Sequence, residues 1–264
     1  MALESPHSLG GIKFGNEWEL MRDTTKNEAF SIMDRYFSMG GNFIDTANNY
    51  QNGQSEQWIG ECMEERKNRD EIVLATKYSC ALRPKNHVTV NSTGNSAKSI
   101  YVSVERSLNN LKTEYIDILY LHWWDDCSPI KEIMHTLHHL VQYRKVLYLG
   151  ISDTPAWIVA AANTYAEDHA LTPFTIYQSK YSPASRDAER DILPMCKRFG
   201  MAFAPFGVLE SGRFQRLDVM RKEGESGRMD LVISDRDEIL IQALEEVAKE
   251  VNGNVGQGPH QLFD

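Results

Sequence analysis

The stretch YIDILYLHWWDDCSPIKEIMHTLHHLVQYRKVLYLGIS, residues 115–152, holds one full step of the fold. It begins as an apolar run that stops at His122. A polar turn follows, then an amphipathic segment, then a second apolar run that closes on Ser152. The two apolar runs read as strands and the middle segment as a helix. Ser128 reads as its cap and Pro129 as its first residue, where a missing N–H costs nothing. Strand, helix and strand in that order imply two parallel strands joined by a crossover.

The same step recurs in both directions, roughly every 30 residues, the size of a βαβ unit. Upstream, SAKSIYVSVERSLNNL is a helix with apolar Ile100, Val104, Leu108 and Leu111 on one face. EIVLATK is a strand, SEQWIGECMEER a helix opened by Ser55, NFID a strand from Asn42, and EAFSIMDRYFSMGG a helix ended by glycines. LGGIKFG near the start is a candidate earlier strand. Downstream, TPAWIVAAANTYAED repeats the Thr-Pro helix opening, FTIYQS is a strand, RDAERDILPMCKRFG is helical and MAFAPFG is a strand. A polar stretch from Ser211 to Ile233 reads as a surface loop. SDRDEILIQALEEVAKEVN is a last helix, opened by a capping box of Ser234 with Asp237.

Regular alternation leaves a choice between an open doubly wound sheet and a closed barrel. No glycine-rich phosphate loop follows the first strand, which counts against the dinucleotide-binding open sheet. GNVGQG near the end has the wrong glycine spacing and follows a helix. The expectation is therefore α/β, a (β/α)8 TIM barrel. After Val251 the segment NGNVGQGPHQLFD has neither strand nor helix pattern. The barrel is thus expected to lack or replace its eighth β/α unit, within a single, C-terminally incomplete domain spanning residues 1–264.

Composition narrows the function. A chain of 264 residues with 42% hydrophobic and 10% aromatic residues can build a sizeable core. A net charge of -9 and the absence of a Lys/Arg run argue against nucleic acid. Cys62, Cys80, Cys127 and Cys196 are scattered, with no C-x-x-C pair, and read as free thiols in a reducing compartment. No apolar signal segment opens the chain and no run of about 18 apolar residues occurs. A cytoplasmic protein with no membrane partner is expected. The NST at Asn91 has no expected role in such a chain. His135, His138 and His139 share a helix but lie away from the strand ends and lack a fourth ligand, so no metal is expected.

In a β/α barrel the reacting groups stand where strands end. GNFIDTANNYQNGQSE, residues 41–56, turns abruptly polar after its strand and places Asp45 and Tyr50 there. The next strands end in Lys77, in His122, in Ser152 and Asp153, in Gln178 and in Phe206. A tyrosine is a poor acid at neutral pH, and a nearby ammonium favours its phenolate. An aspartate holds that ammonium charged and aimed, and a histidine can donate to a substrate oxygen. Such a set would protonate a carbonyl oxygen while hydride reaches the carbon. The hydride must come from a cofactor. Trp123 and Trp124 would alternate across the strand, putting one of them in an aromatic pocket.

GNFIDTANNY, LATK and LYLHWWD resemble the signature segments of the aldo-keto reductases. That resemblance implies a tetrad of Tyr50 as general acid, Lys77 as its tuner, Asp45 as the lysine's partner and a neighbour of the cofactor, and His122 as the orienting group. It further implies NADP(H), with Ser152, Asp153 and Gln178 at the nicotinamide carboxamide and Phe206 stacked on its ring. Many relatives carry Asn where this chain has Asp153. GVLESGRF resembles the loop along the cofactor diphosphate and adds Gly207, Val208, Leu209, Ser211, Gly212 and Arg213. DTANNYQNGQSE, ISDTPAWIV and MAFAPFGVLESGRF resemble the fungal aryl-alcohol dehydrogenase and norsolorinic acid reductase branch. The implied activity is reduction of an aromatic or polyketide-like carbonyl, in fungal secondary metabolism such as mycotoxin biosynthesis. The alternatives are a non-catalytic nucleotide-binding subunit and an inactive truncated paralogue.

Overall fold

A computed structural model describes residues 7–19, 24–80, 89–212, 214 and 234–250. The strands are β1 (Ser8–Gly10), β2 (Phe43–Asp45), β3 (Val73–Tyr78), β4 (Ile116–Leu121), β5 (Val146–Ser152), β6 (Phe174–Lys180) and β7 (Ala202–Phe206). The helices between and after them are α1 (Lys26–Ser38), α2 (Gln54–Arg66), α3 (Ala97–Leu111), α4 (Ile130–Gln142), α5 (Ala156–Asp168), α6 (Ile192–Phe199) and α7 (Asp235–Glu250). The strands follow one another in a seven-stranded sheet in chain order, β1 to β7. This is the β/α order of a TIM barrel through its seventh strand. No eighth strand occurs among the described residues, and the segment after Glu250 lies outside them, as does most of the expected Ser211–Ile233 loop.

The chain groups into two compact units. The first, residues 1–177 with 198–202, carries β1 to β5 and their helices. Its strands pair in parallel, and the register decides which residues share a face. Gly10 lies opposite Asp45, and Asp45 opposite Ala75. Lys77 lies opposite Tyr120, and Tyr120 opposite Gly150. A side chain at Gly150 would meet the Tyr120 ring at 2.5 Å, so the absence of a Cβ there leaves room for the tyrosine. The other face of the sheet packs on the helices. Leu74 meets a cluster with Ala29, Met33, Ile59, Cys62 and Leu111, all essentially without exposure. Helices α2 and α3 approach so closely that a Cβ at Gly60 would sit 2.4 Å from the Asn110 carbonyl oxygen.

Local signals explain several helix starts. Thr25 and Glu28 form a capping box at α1, with Thr25 N–H donating to Glu28 Oε2 at 2.8 Å. The expected face of α3 is borne out, since Ile100, Val104, Leu108 and Leu111 are all buried. Two expected caps are corrected. The residue before α2 is Gly53 in a left-handed conformation, and Ser55 instead donates to the Gly11 carbonyl at 2.8 Å. Pro129 occupies the cap position of α4, and the Ser128 hydroxyl donates to Asp125 Oδ2 at 3.2 Å. Both serines satisfy a through-space acceptor in preference to a helix end.

Polar groups tie the elements of the first unit together. The Arg69 guanidinium donates to Asp117 at 2.7 Å and to the carbonyls of Ile72 and Tyr115, each at 2.9 Å. Asp117 in turn accepts from the Leu74 amide at 3.0 Å. Glu56 is fully buried between α2, β3 and α3, accepting from Thr76 Oγ1 at 2.7 Å and Asn110 Nδ2 at 3.0 Å. Burial pushes its carboxyl above the usual range, against the pull of Ser107, Asn110 and Thr76.

The second unit, residues 178–197 with 203–264, carries the end of β6, most of β7, and α7. The Tyr181 amide donates to the Phe206 carbonyl at 3.1 Å. Glu210 gathers Lys180 Nζ at 2.9 Å and the Ser182 hydroxyl at 2.5 Å. Ser234 and Asp237 form the expected cap of α7, with Ser234 N–H donating to Asp237 Oδ2 at 2.9 Å. Phe214, Ile241 and Leu244 make its small apolar core.

Candidate active site

The site is built on the strand ends of the first unit. β2 delivers Asp45, β3 delivers Lys77, and the turn after β2 delivers Tyr50. Lys77 is only 1% exposed. Its ammonium donates to Asp45 Oδ1 and, at 2.8 Å, to the Thr46 carbonyl. It lies 5.1 Å from the centre of the Tyr50 ring. Burial alone would depress this ammonium. Attraction to Asp45 and Tyr50, with hydrogen bonds to both, outweighs it and holds the group above its ordinary value. The turn is fixed from beneath: Thr46 and Asn48 donate their amides to the carbonyls of Ala75 at 2.9 Å and Lys77 at 3.0 Å.

His122 follows β4 and meets the Tyr50 ring edge-on, centroids 5.9 Å apart and planes at 74°. Its amide donates to the Tyr78 carbonyl at 3.1 Å. Burial, with the Lys77 charge adding to it, pushes the imidazole down to about 3. The ring is therefore neutral at physiological pH. Its Nδ1 lies 3.6 Å from Cys80 Sγ. Burial pushes the Cys80 thiol up to about 12, with Lys77 pulling the other way. Cys80 thus remains a thiol in contact with the neutral ring.

A depressed histidine has a signed consequence for stability. In the unfolded chain an imidazole takes up its proton near pH 6.5, whereas folded His122 resists it down to about 3. The stability linked to His122 is present above pH 6.5 and drains away as pH falls toward 3. The expected slope is about 1.4 kcal/mol per pH unit. Urea unfolding of the wild type and of His122→Gln, repeated from pH 7 down to pH 4, should show that much less slope in the variant. Parallel curves would remove the imidazole from this role.

Ser152 is buried at the end of β5, and Asp153 follows in a left-handed conformation at φ 42°. Burial raises the Asp153 carboxyl to about 6, with Lys77 and a hydrogen bond to Ser152 opposing it. The turn is clipped by Tyr177, whose hydroxyl accepts from the Thr154 amide at 3.0 Å and donates to the Thr154 carbonyl at 2.5 Å. A carboxamide needs both a donor and an acceptor. The Ser152 hydroxyl and the Asp153 carboxyl supply both, so these residues fit the amide of a nicotinamide.

The expected alternation of Trp123 and Trp124 is corrected. β4 ends at Leu121, so neither residue is on a strand and pleating does not orient them. Trp123 is 46% exposed, and its ring lies tilted against His122 with centroids 5.1 Å apart. Trp124 is half-buried. The remaining cofactor candidates stand on the second unit. Gln178 is buried on β6 and Phe206 is half-open at the end of β7. Gly207 takes φ 71°, and the turn through Val208 and Leu209 closes with the Glu210 amide on the Gly207 carbonyl at 2.8 Å. Ser211 and Gly212 continue it as a short helical turn, while Arg213 lies outside the described residues.

Sequence reasoning missed three contributors. Trp18, from the loop after β1, presents its ring to Tyr50 at 6.3 Å and 76°. Gln51, next to Tyr50, reaches back to hold that loop, and Cys80 sits against His122. The adjacency of Gln51 to Tyr50 was the only local signal for any of them.

The strand ends of a parallel β/α sheet thus bring a buried Asp–Lys pair to a tyrosine and a neutral histidine. The sequence model of the aldo/keto reductase family matches residues 8–257, and the chain belongs to that family. It is similar to norsolorinic acid reductase B of Dothistroma septosporum, 56% identical over 214 residues, 80% of this chain and 55% of that protein. It is similar to norsolorinic acid reductase B of Aspergillus parasiticus, 48% identical over 251 residues, 92% of this chain and 66% of that protein. A putative aryl-alcohol dehydrogenase of Saccharomyces cerevisiae is 48% identical over 253 residues, 93% of this chain and 67% of that protein. The matched region thus spans 55% to 67% of the length of these relatives.

Proposed function

We propose that this chain is an NADP(H)-dependent oxidoreductase that interconverts an aromatic or polyketide-like carbonyl and its alcohol. The observation that carries the reading is Lys77, buried and charged between Asp45 and Tyr50, with a neutral His122 edge-on to the same tyrosine. The nicotinamide, when bound, supplies hydride, which no side chain can. Tyr50 gives its phenolic proton to the carbonyl oxygen as that oxygen gains charge. The Lys77 ammonium favours the phenolate left behind, and Asp45 keeps that ammonium in place. His122, neutral, donates a ring N–H to the same oxygen and fixes its direction. Ser152 and Asp153 bind the carboxamide, and Gln178 and Phe206 are proposed as further cofactor contacts.

A relative named as an aryl-alcohol dehydrogenase supports an aromatic substrate, and two named as norsolorinic acid reductases support the reductive direction. The test is turnover of aromatic aldehydes and ketones, followed by loss of NADPH absorbance. Turnover that depends on Tyr50 supports the reading. Tight NADPH binding with no turnover of any carbonyl would replace it with a nucleotide-sensing role.

A further inference from the structure

Gln51 is 1% exposed, yet it sits in a surface turn and adopts a left-handed backbone at φ 49°, followed by Asn52 at φ 54°. Two consecutive non-glycine residues in that region are uncommon, and such outliers persist only where surrounding contacts hold them. The contacts here are specific. Gln51 Oε1 accepts from the amides of Glu17 at 3.0 Å and Trp18 at 2.9 Å. Gln51 Nε2 donates to the Ile12 carbonyl at 3.1 Å. Gln54 adds a bond from the Asn16 amide to its Oε1 at 2.7 Å. Gly15 has no room for a side chain, since its Cβ would lie 2.4 Å from the Gln51 Cβ. The loop from Ile12 to Trp18 is thereby laid against the residue next to Tyr50. Trp18, Tyr50, His122 and Trp123 then form an unbroken row of rings, each within 6.3 Å of the next.

We propose that Gln51 is a positioning residue that sets substrate selectivity: its amide clamps the loop of residues 12–18 so that Trp18 walls the approach to Tyr50 for a flat aromatic carbonyl. The inference rests on the reductase reading above. The left-handed turn aims the Gln51 side chain at the loop rather than at solvent. Each end of the amide is matched to its partner, two N–H groups on the oxygen and one carbonyl on the nitrogen. Without the clamp, Trp18 has no fixed distance from Tyr50. An aromatic substrate then loses a wall, whereas a short aliphatic aldehyde, too small to reach it, loses nothing.

The experiment compares wild type with Gln51→Met, which keeps length and volume but removes these three bonds, and with Gln51→Glu, which keeps the two accepted from Glu17 and Trp18. Hydrogen–deuterium exchange should show the amides of Glu17 and Trp18 exchanging about tenfold or more faster in Gln51→Met, with partial rescue in Gln51→Glu. The KM for a benzaldehyde should rise about tenfold in Gln51→Met, with kcat and the NADPH Kd within about twofold and the KM for propanal unchanged. Trp18→Ala should reproduce the same split, which covers the case in which Gln51→Met fails to fold. Unchanged loop exchange, or equal KM shifts for both aldehydes, overturns the proposal. A wild type that reduces neither aldehyde but shows the exchange difference overturns the reductase reading and the selectivity role, and leaves a loop clamp alone.

Discussion

Replacing Tyr50 with phenylalanine lowers turnover by at least about 10²-fold, the lower end of what a positioned general acid contributes. The substitution keeps the ring that meets His122 and Trp18 edge-on, so the aromatic row survives. It removes only the hydroxyl hydrogen-bonded to Lys77. NADPH affinity should therefore hardly move. The measurement is single-turnover NADPH oxidation with an aromatic aldehyde, paired with a cofactor titration by fluorescence. A variant that reduces the aldehyde at the wild-type rate would sink the assignment of Tyr50, whatever its cofactor affinity.

Lys77→Met should be costly twice over. The ammonium is buried and bound to Asp45, and removing one member of a buried pair typically costs about 3–5 kcal/mol because the other charge is left without its counter-ion. That is a large share of a whole-domain stability of about 5–15 kcal/mol. Denaturant unfolding at pH 7 checks this: an unchanged free energy of unfolding would mean that the pair does not hold the fold. Activity should fall as well, and in the residual activity the pH limb that reports phenol ionisation should move to higher pH. An unmoved limb at full rate would separate Lys77 from Tyr50.

The helices and strands were legible in the sequence because their signals are short-ranged. The spacing of Ile100, Val104, Leu108 and Leu111 marks one helix face, and those side chains are buried as expected. The Ser234 and Asp237 pair opens α7 where the capping pattern puts it. The alternation of these elements implies a parallel sheet, and with it a rim of strand ends on which Asp45, Lys77 and His122 stand. Order along the chain thus carries the architecture and the inventory of the site. It does not carry the destination of a polar side chain. Ser55 reads as a helix cap but bonds to Gly11, 44 residues earlier. Trp123 and Trp124 read as alternating strand residues, but the strand stops before them. Gln51 reads as one amide in a polar turn, and only folding brings it to Ile12 and Trp18, 39 and 33 residues away. Hydrophobic periodicity and capping are decided within a turn or two of backbone, so the sequence alone determines them. A buried hydroxyl or amide must instead find a partner wherever the packed chain offers one. The loop beside Tyr50, the neutral ring of His122 and the charge on Lys77 are therefore decisions of the tertiary structure.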